Sequence, residues 1–184
     1  NHLGGVVLPH YEVAIVDENN NFVPAGVKGE MIIRSKEQGV MADGYFGMPN
    51  KNLSLQQNDW FHTGDIGWLD NEELFYFTCR MAERIRVKGE MVSLFEVEEG
   101  VLSHSEIEDA AAVGFPSEIG EEDIRLFVKL KPSSTLTEER MRIHCQEIMA
   151  RFMVPKIITI LKDIPRTPTG KIEKGKLAKI PISN

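Results

Sequence analysis

The hydrophobic pattern changes character once along the chain, near Cys79 and Arg80, and that change limits the folds open to it. Before it, apolar runs are short and each is closed by turn residues. Tyr11–Val16 (YEVAIV) reads as a strand on its β-branched and aromatic content, and it runs into Asp17-Glu18-Asn19-Asn20-Asn21, a cluster that favours turns. Residues 30–34 make a second strand, and 66–69 with 74–78 flank Asp70-Asn71-Glu72 as a hairpin. A further strand-like segment carries Gly4-Gly5. Residues 35–58 are broken by Gly39, Gly44, Gly47 and Pro49, leaving room for a turn or two of helix over 50–57. Short strands without a convincing helix predict a small β-barrel or sandwich for residues 1–79.

Beyond Arg80 the pattern alternates between strand and helix. Residues 84–91 (RIRVKGEM) read as a two-stranded ribbon turning at Lys88-Gly89. Ser93 with Glu96 three residues later is a capping box, opening a helix to about Ser103 with Leu94, Val97, Val101 and Leu102 on its apolar side. Strands over 107–115 and 124–130 follow, joined across 116–122. A helix over 138–151 places Met141, Cys145, Ile148, Met149 and Phe152 on one face. A strand at 156–161 completes a β-β-α-β-β-α-β order, and a short helix within 172–179 follows. The fold class expected is therefore α/β (α+β), with a compact α/β domain over residues 80–184 behind the β-rich one.

Composition excludes several roles. No apolar run approaches the roughly 20 residues a membrane helix needs, and no signal peptide opens the chain, so no integral membrane segment is expected. Cys79 and Cys145 have no metal-ligand spacing, which suits a reducing, cytoplasmic setting. The five histidines are scattered singly, so no metal site is expected. A net charge of −7 argues against a nucleic-acid partner, yet the charge is uneven. Residues 1–80 carry 5 basic and 11 acidic side chains, whereas 151–184 carry 8 basic and 2 acidic, as a local anion site would require. The chain opens on Asn1 rather than Met, as expected of a piece of a longer protein.

Two stretches offer chemistry. In the first, His62-Thr63-Gly64-Asp65 is a polar knot ahead of the hairpin, and Arg80 closes that hairpin. Asp65 could accept two hydroxyl hydrogen bonds from a vicinal diol such as a ribose, beside the planar donor fork of Arg80. The plainer alternative is a surface ion pair. In the second, Ile164-Pro165-Arg166-Thr167-Pro168-Thr169-Gly170-Lys171-Ile172 reads as a loop without regular structure, presenting Lys171 as a mobile cation. The plainer alternative there is a turn with a surface lysine.

Taken together, these segments resemble the adenylate-forming superfamily: acyl-CoA synthetases, peptide-synthetase adenylation domains and luciferase. Gly29-Glu30-Met31 through Gly44-Tyr45 is similar to the family's GEL…GY segment, Thr63-Gly64-Asp65 to its TGD motif, and residues 85–98 (IRVKGEMVSLFEVE) to the segment after its hinge. Pro165 through Lys171 is similar to its PRTxxGK motif. The resemblance implies nucleotide binding by Thr63, Asp65, Phe77 and Arg80, catalysis of adenylation by Lys171, and a hinge at Ala82, where the family commonly has Asp or Lys. It implies a CoA-facing surface at Arg86, Gly89 and Glu90, with Arg86 replacing the usual Lys. Residues 1–79 then correspond to the last β-rich subdomain of a large domain, and 80–184 to a mobile lid. Residues 144–176 look most like crotonobetaine/carnitine-type and related fatty-acid CoA ligases. The implied substrates are a small carboxylic acid, ATP and CoA, with Mg2+ ligands upstream of this chain and a homodimer formed through the large domain. The chain alone is expected to be inactive. Two alternatives stay open: an adenylating enzyme that loads a carrier protein, and a non-catalytic nucleotide-binding module.

Overall fold

The computed structural model describes residues 2–42, 44–49, 52, 55–117 and 120–182. Of the expected helical turn over 50–57, residues 56–57 are instead strand, and 50, 51, 53 and 54 fall outside the described residues, as do 118 and 119 in the middle of the 116–122 connection. Two compact units divide the chain, Asn1–Ala82 and Glu83–Asn184. The division comes after Ala82 because strand pairing continues through Arg80, whose backbone is still in register with Asp65.

The first unit is a six-stranded antiparallel sheet built from β1 (His2–Val6), β2 (Tyr11–Val16), β3 (Gly29–Ser35), β4 (Gln56–Gln57), β5 (Trp60–Leu69) and β6 (Leu74–Arg80). Its order is β1-β6-β5-β3-β2, with β4 added beside β5. The expected barrel takes the form of a curled half-barrel, whose end strands β1 and β2 do not pair. Ile15, Val16, Ile32, Ile66, Phe75 and Cys79 form its buried apolar set. The Thr63-Gly64-Asp65 knot, expected ahead of the hairpin, instead lies inside the ten-residue strand β5.

The second unit begins with the β7 (Arg84–Val87) and β8 (Glu90–Ser93) hairpin and continues into α1 (Leu94–Leu102). Then come β9 (Ile107–Pro116), β10 (Glu122–Leu130), α2 (Glu138–Ile148), β11 (Ile157–Leu161) and the single turn α3 (Lys174–Leu177). The three-stranded sheet runs β11-β10-β9, with β10 antiparallel to β9 and parallel to β11. Strand alternation splits the core in two. Ala110, Ala112, Ile124, Leu126 and Val128 pack with Val97, Val101, Met141 and Cys145 of the two longer helices. Ala111, Val113 and Phe127 point the other way and pack with Ile164 and Leu177 of the C-terminal segment. Arg125 fastens that segment: its guanidinium donates to the carbonyls of Ile180 (2.6 Å) and Pro181 (3.2 Å).

Both longer helices begin as their caps dictate, the Ser93 and Thr137 hydroxyls accepting from the N–H groups of Glu96 and Arg140. Their apolar faces end sooner than the periodicity predicts. Leu102 is 42% exposed and Ile148 43%. Leu102 follows Val101 by about 100° of helical rotation, which carries it off the buried stripe. Ile148 is the last residue of α2, and Met149 is already extended (φ −136°, ψ 161°), so the helical phase is lost before Phe152.

Candidate functional site

The registers Glu30↔Ile66 and Ile32↔His62 leave Met31 facing three residues of β5, Thr63, Gly64 and Asp65. The motif is thus an enlarged, three-against-one bulge against β3, and Gly64 supplies the left-handed backbone (φ +71°) that it needs. Backbone groups freed from the ladder need other partners. Glu30 Oε1 accepts from Gly64 N–H at 2.9 Å, the Thr63 hydroxyl donates to Met31 O at 2.6 Å, and Asp65 N–H donates to Thr63 Oγ1 at 3.0 Å. The other Glu30 oxygen meets His62 Nδ1 at 2.8 Å, and both of these side chains are largely buried. Glu30 and His62 therefore brace the motif from behind. Sequence reasoning placed Glu30 in a motif and His62 in the knot but gave neither this task, because their partnership spans two strands.

Arg80 faces Asp65 across the β5–β6 ladder. Its Nε lies 2.6 Å from Asp65 Oδ1, off the line of a hydrogen bond, and Nη1 donates to Thr63 O at 3.3 Å. Asp65 is mostly buried while Arg80 is more than half exposed. Burial pushes the Asp65 carboxyl above its ordinary range; Arg80 pulls it back, and Glu30 adds to the rise. The structure thus brings Thr63, Asp65 and Arg80 together. Phe77 lies on β6 opposite Gly67, and the register shift after Ile66 leaves Thr78 as the extra residue of a second bulge between Phe77 and Arg80.

In the second unit, the Lys171 loop is more ordered than the sequence implied. Arg166 and Ile172 form an antiparallel bridge, and Gly170 N–H donates to Thr167 O at 2.9 Å within a tight turn. Arg166 is the brace: it pairs with Asp109 of β9 and donates to Gly170 O at 2.6 Å. Ile164 and Leu177, both buried, anchor the segment on either side. Proline and glycine content suggested a loop without regular structure; the bridge, the turn and the long-range Arg166–Asp109 pair give it more internal and tertiary support than that reading implied. Lys171 is itself exposed.

Arg86, Gly89 and Glu90 share the β7–β8 hairpin and all are exposed. Lys88 and Gly89 have φ of +52° and +86°, the two positive values a two-residue hairpin turn requires. Gly89 N–H donates to both carboxylate oxygens of Glu121, at 3.2 and 3.0 Å, which ties the hairpin tip to the turn before β10. Arg86 Nη1 makes only a long 3.5 Å approach to Gly89 O. Ala82 is exposed and closes the first unit. Among the described residues no group of three or more His, Cys, Asp or Glu side chains is disposed to hold a metal, and no helix is long and apolar enough to cross a membrane.

A braced acid–guanidinium pair in one unit and a pinned lysine loop in the next are the setting in which the comparisons become informative. Residues 96–171, within the second unit, match the sequence profile of the AMP-binding enzyme C-terminal domain. The chain is 39% identical over 168 residues to a crotonobetaine/carnitine–CoA ligase of Citrobacter koseri, a match covering 91% of this chain and 32% of that ligase. It therefore spans about a third of the curated relatives it matches. Among solved structures it is similar to the amide bond synthetase McbA from Marinactinospora thermotolerans, with a TM-score of 0.81 and 28% identity over 95% of this chain and 35% of that one. It is also similar to the anthranilate CoA ligase AuaEII in complex with anthranoyl-AMP, with a TM-score of 0.79 and 30% identity over 95% of this chain and 34% of that one.

Proposed function

We propose that this chain is the C-terminal part of an ATP-dependent acid–CoA ligase. Residues 1–79 would belong to its large domain and 80–184 would be its lid. The observation that carries the reading is the bulge in β5, where Glu30, paired with His62, holds Gly64, and Thr63 bonds Met31 O and Asp65 N–H, with Arg80 beside the acid. Asp65 would accept the ribose hydroxyls of ATP, Arg80 would close over the same sugar, and Phe77 would lie against the nucleotide.

In the first half-reaction a substrate carboxylate oxygen attacks the α-phosphorus, the bond to the β-phosphate oxygen breaks, and acyl-AMP and pyrophosphate form. Lys171 stabilises the charge gathering on the carboxylate and phosphate oxygens, a role whose removal typically costs on the order of 10²–10³ in rate. In the second, the CoA thiol, losing its proton, attacks the acyl carbon and AMP leaves. Arg86, Gly89 and Glu90 would serve that step after the lid turns about Ala82, one mobile domain thus serving two reactions. Magnesium accompanying ATP would draw its ligands from the longer protein, and any self-association would use the large domain. A cytoplasmic setting would suit its nucleotide substrates, ATP and CoA. Alone, the 184-residue chain should release no pyrophosphate.

The test is a thioester-formation assay on the full-length ligase, over short-, medium- and long-chain acids, with CoA and with a carrier protein as rival acceptors. Lys171→Ala should abolish adenylation and spare thioester formation from supplied acyl-AMP. Equal loss of both half-reactions would contradict the assignment of separate faces.

A further inference from the structure

The short helix α3 begins three residues after Lys171, and a single helical turn does not hold itself together in water. It is held at two points. Leu177 is fully buried against Ala111, Val113 and Phe127. Lys174 reaches into a pair of carboxylates: its Nζ, shut off from solvent, lies 2.9 Å from Glu98 Oε1 and 3.3 Å from Glu83 Oε1. Glu98, on α1, is itself buried, and the same Oε1 accepts the Ala112 N–H of the edge strand β9 at 2.6 Å. Glu83 is the first residue of the second unit, next to Ala82.

Both limbs of the Lys171 loop are thus fastened around β9. The incoming limb is tied through Arg166 to Asp109, the outgoing limb through Lys174 to Glu98 and so to Ala112. The outgoing limb has a second arm, from Lys174 to Glu83, the residue following Ala82. A lysine suits this place, since its compact charge can attract two acids at once, although neither contact lies on the line of a hydrogen bond, and its stem packs along the way.

We propose that Lys174 is a positioning residue, which with Glu83 and Glu98 fixes the Lys171 loop and ties it to the segment that joins the two units. The proposal rests on the ligase reading for its catalytic consequence. Its mechanical part does not: in the 184-residue chain, loss of the Lys174 charge should loosen residues 165–173 whatever reaction the protein performs.

Two measurements test it. In the chain itself, amide hydrogen exchange over residues 165–173 should speed up about tenfold or more in Lys174→Met and in Glu83→Gln, the latter sparing the buried Glu98 contact. Lys174→Arg, whose planar fork can also span two carboxylates, should restore slow exchange. In the full-length ligase, Lys174→Met should lower the adenylation rate on the order of 10²-fold, as small misplacements of a catalytic group do, while thioester formation from supplied acyl-AMP is kept. Unchanged exchange in both charge-removing variants overturns the proposal, and so does equal loss of the two half-reactions with no rescue by Lys174→Arg. A wild-type ligase that makes no acyl-AMP overturns the functional reading instead, and the exchange result still decides whether Lys174 holds the loop.

Discussion

Arg80 and Asp65 are cross-strand partners whose charged groups meet at 2.6 Å, the acid mostly buried and the guanidinium more than half exposed. The buried member is thus the one assigned to the sugar hydroxyls, and the exposed member is the one with room to shift when a ligand arrives. Asp65→Asn keeps the shape and removes the charge. A hydrogen bond to a charged group contributes about 1.5–3 kcal/mol, so affinity for AMP in the full-length protein should fall roughly 10- to 100-fold. Calorimetric titration reads this directly, and an unchanged affinity would take Asp65 out of the nucleotide site.

Glu30 carries the bulge. Glu30→Ala leaves the Gly64 N–H and the largely buried His62 without their carboxylate. Stranding a buried donor costs about 1–3 kcal/mol, and the unfolding midpoint of the first unit in urea should fall accordingly. Glu30→Gln keeps an acceptor for Gly64 and should lose less. A variant as stable as the parent would show that water replaces the carboxylate.

What the sequence disclosed, and what it hid, divides by range. Ser93 as a helix cap, the Lys88-Gly89 turn and the strands of both units follow from local chemistry within a few residues, and each is present. Thr63, Gly64 and Asp65 were recognisable as a motif, but that they bulge from a strand depends on the register with β3, some 32 residues away. The braces escaped for the same reason. Arg166–Asp109, Lys174–Glu98 and Gly89–Glu121 join residues that no periodicity connects. Amphipathic spacing also overran at Leu102 and Ile148, because a period says nothing of where a helix stops.

Gly89 separates the demands of shape from those of space. Nothing lies within 4 Å of where a Cβ would sit, so Gly89→Ala meets no clash, only the left-handed backbone at φ +86°. That conformation costs an L-residue about 1–2 kcal/mol, and thermal unfolding should show a loss of that size. If this hairpin serves the thioester step, the variant should slow acyl transfer to CoA more than adenylation. The opposite order would move the CoA-facing assignment elsewhere.

Glu98 gives the second unit a pH dependence of definite sign. Burial pushes its carboxyl above the ordinary value of 4.5; Lys174 and the Ala112 N–H pull it back, and Glu83 adds to the rise. A folded-state value above the unfolded one means that the folded chain holds this proton more tightly. The stability so gained is complete below the unfolded value and is lost as pH rises through the folded one. Glu98→Gln does not titrate, so wild-type stability relative to Gln should decline as pH rises from about 4 and then level off. In a Lys174→Met background the charge that opposes burial is gone, so the decline should extend to higher pH. Denaturant unfolding of the four proteins across pH 4 to 8 tests both statements, and a wild-type-minus-Gln difference that stays flat or grows with pH would show that Lys174 and the Ala112 N–H outweigh burial at Glu98.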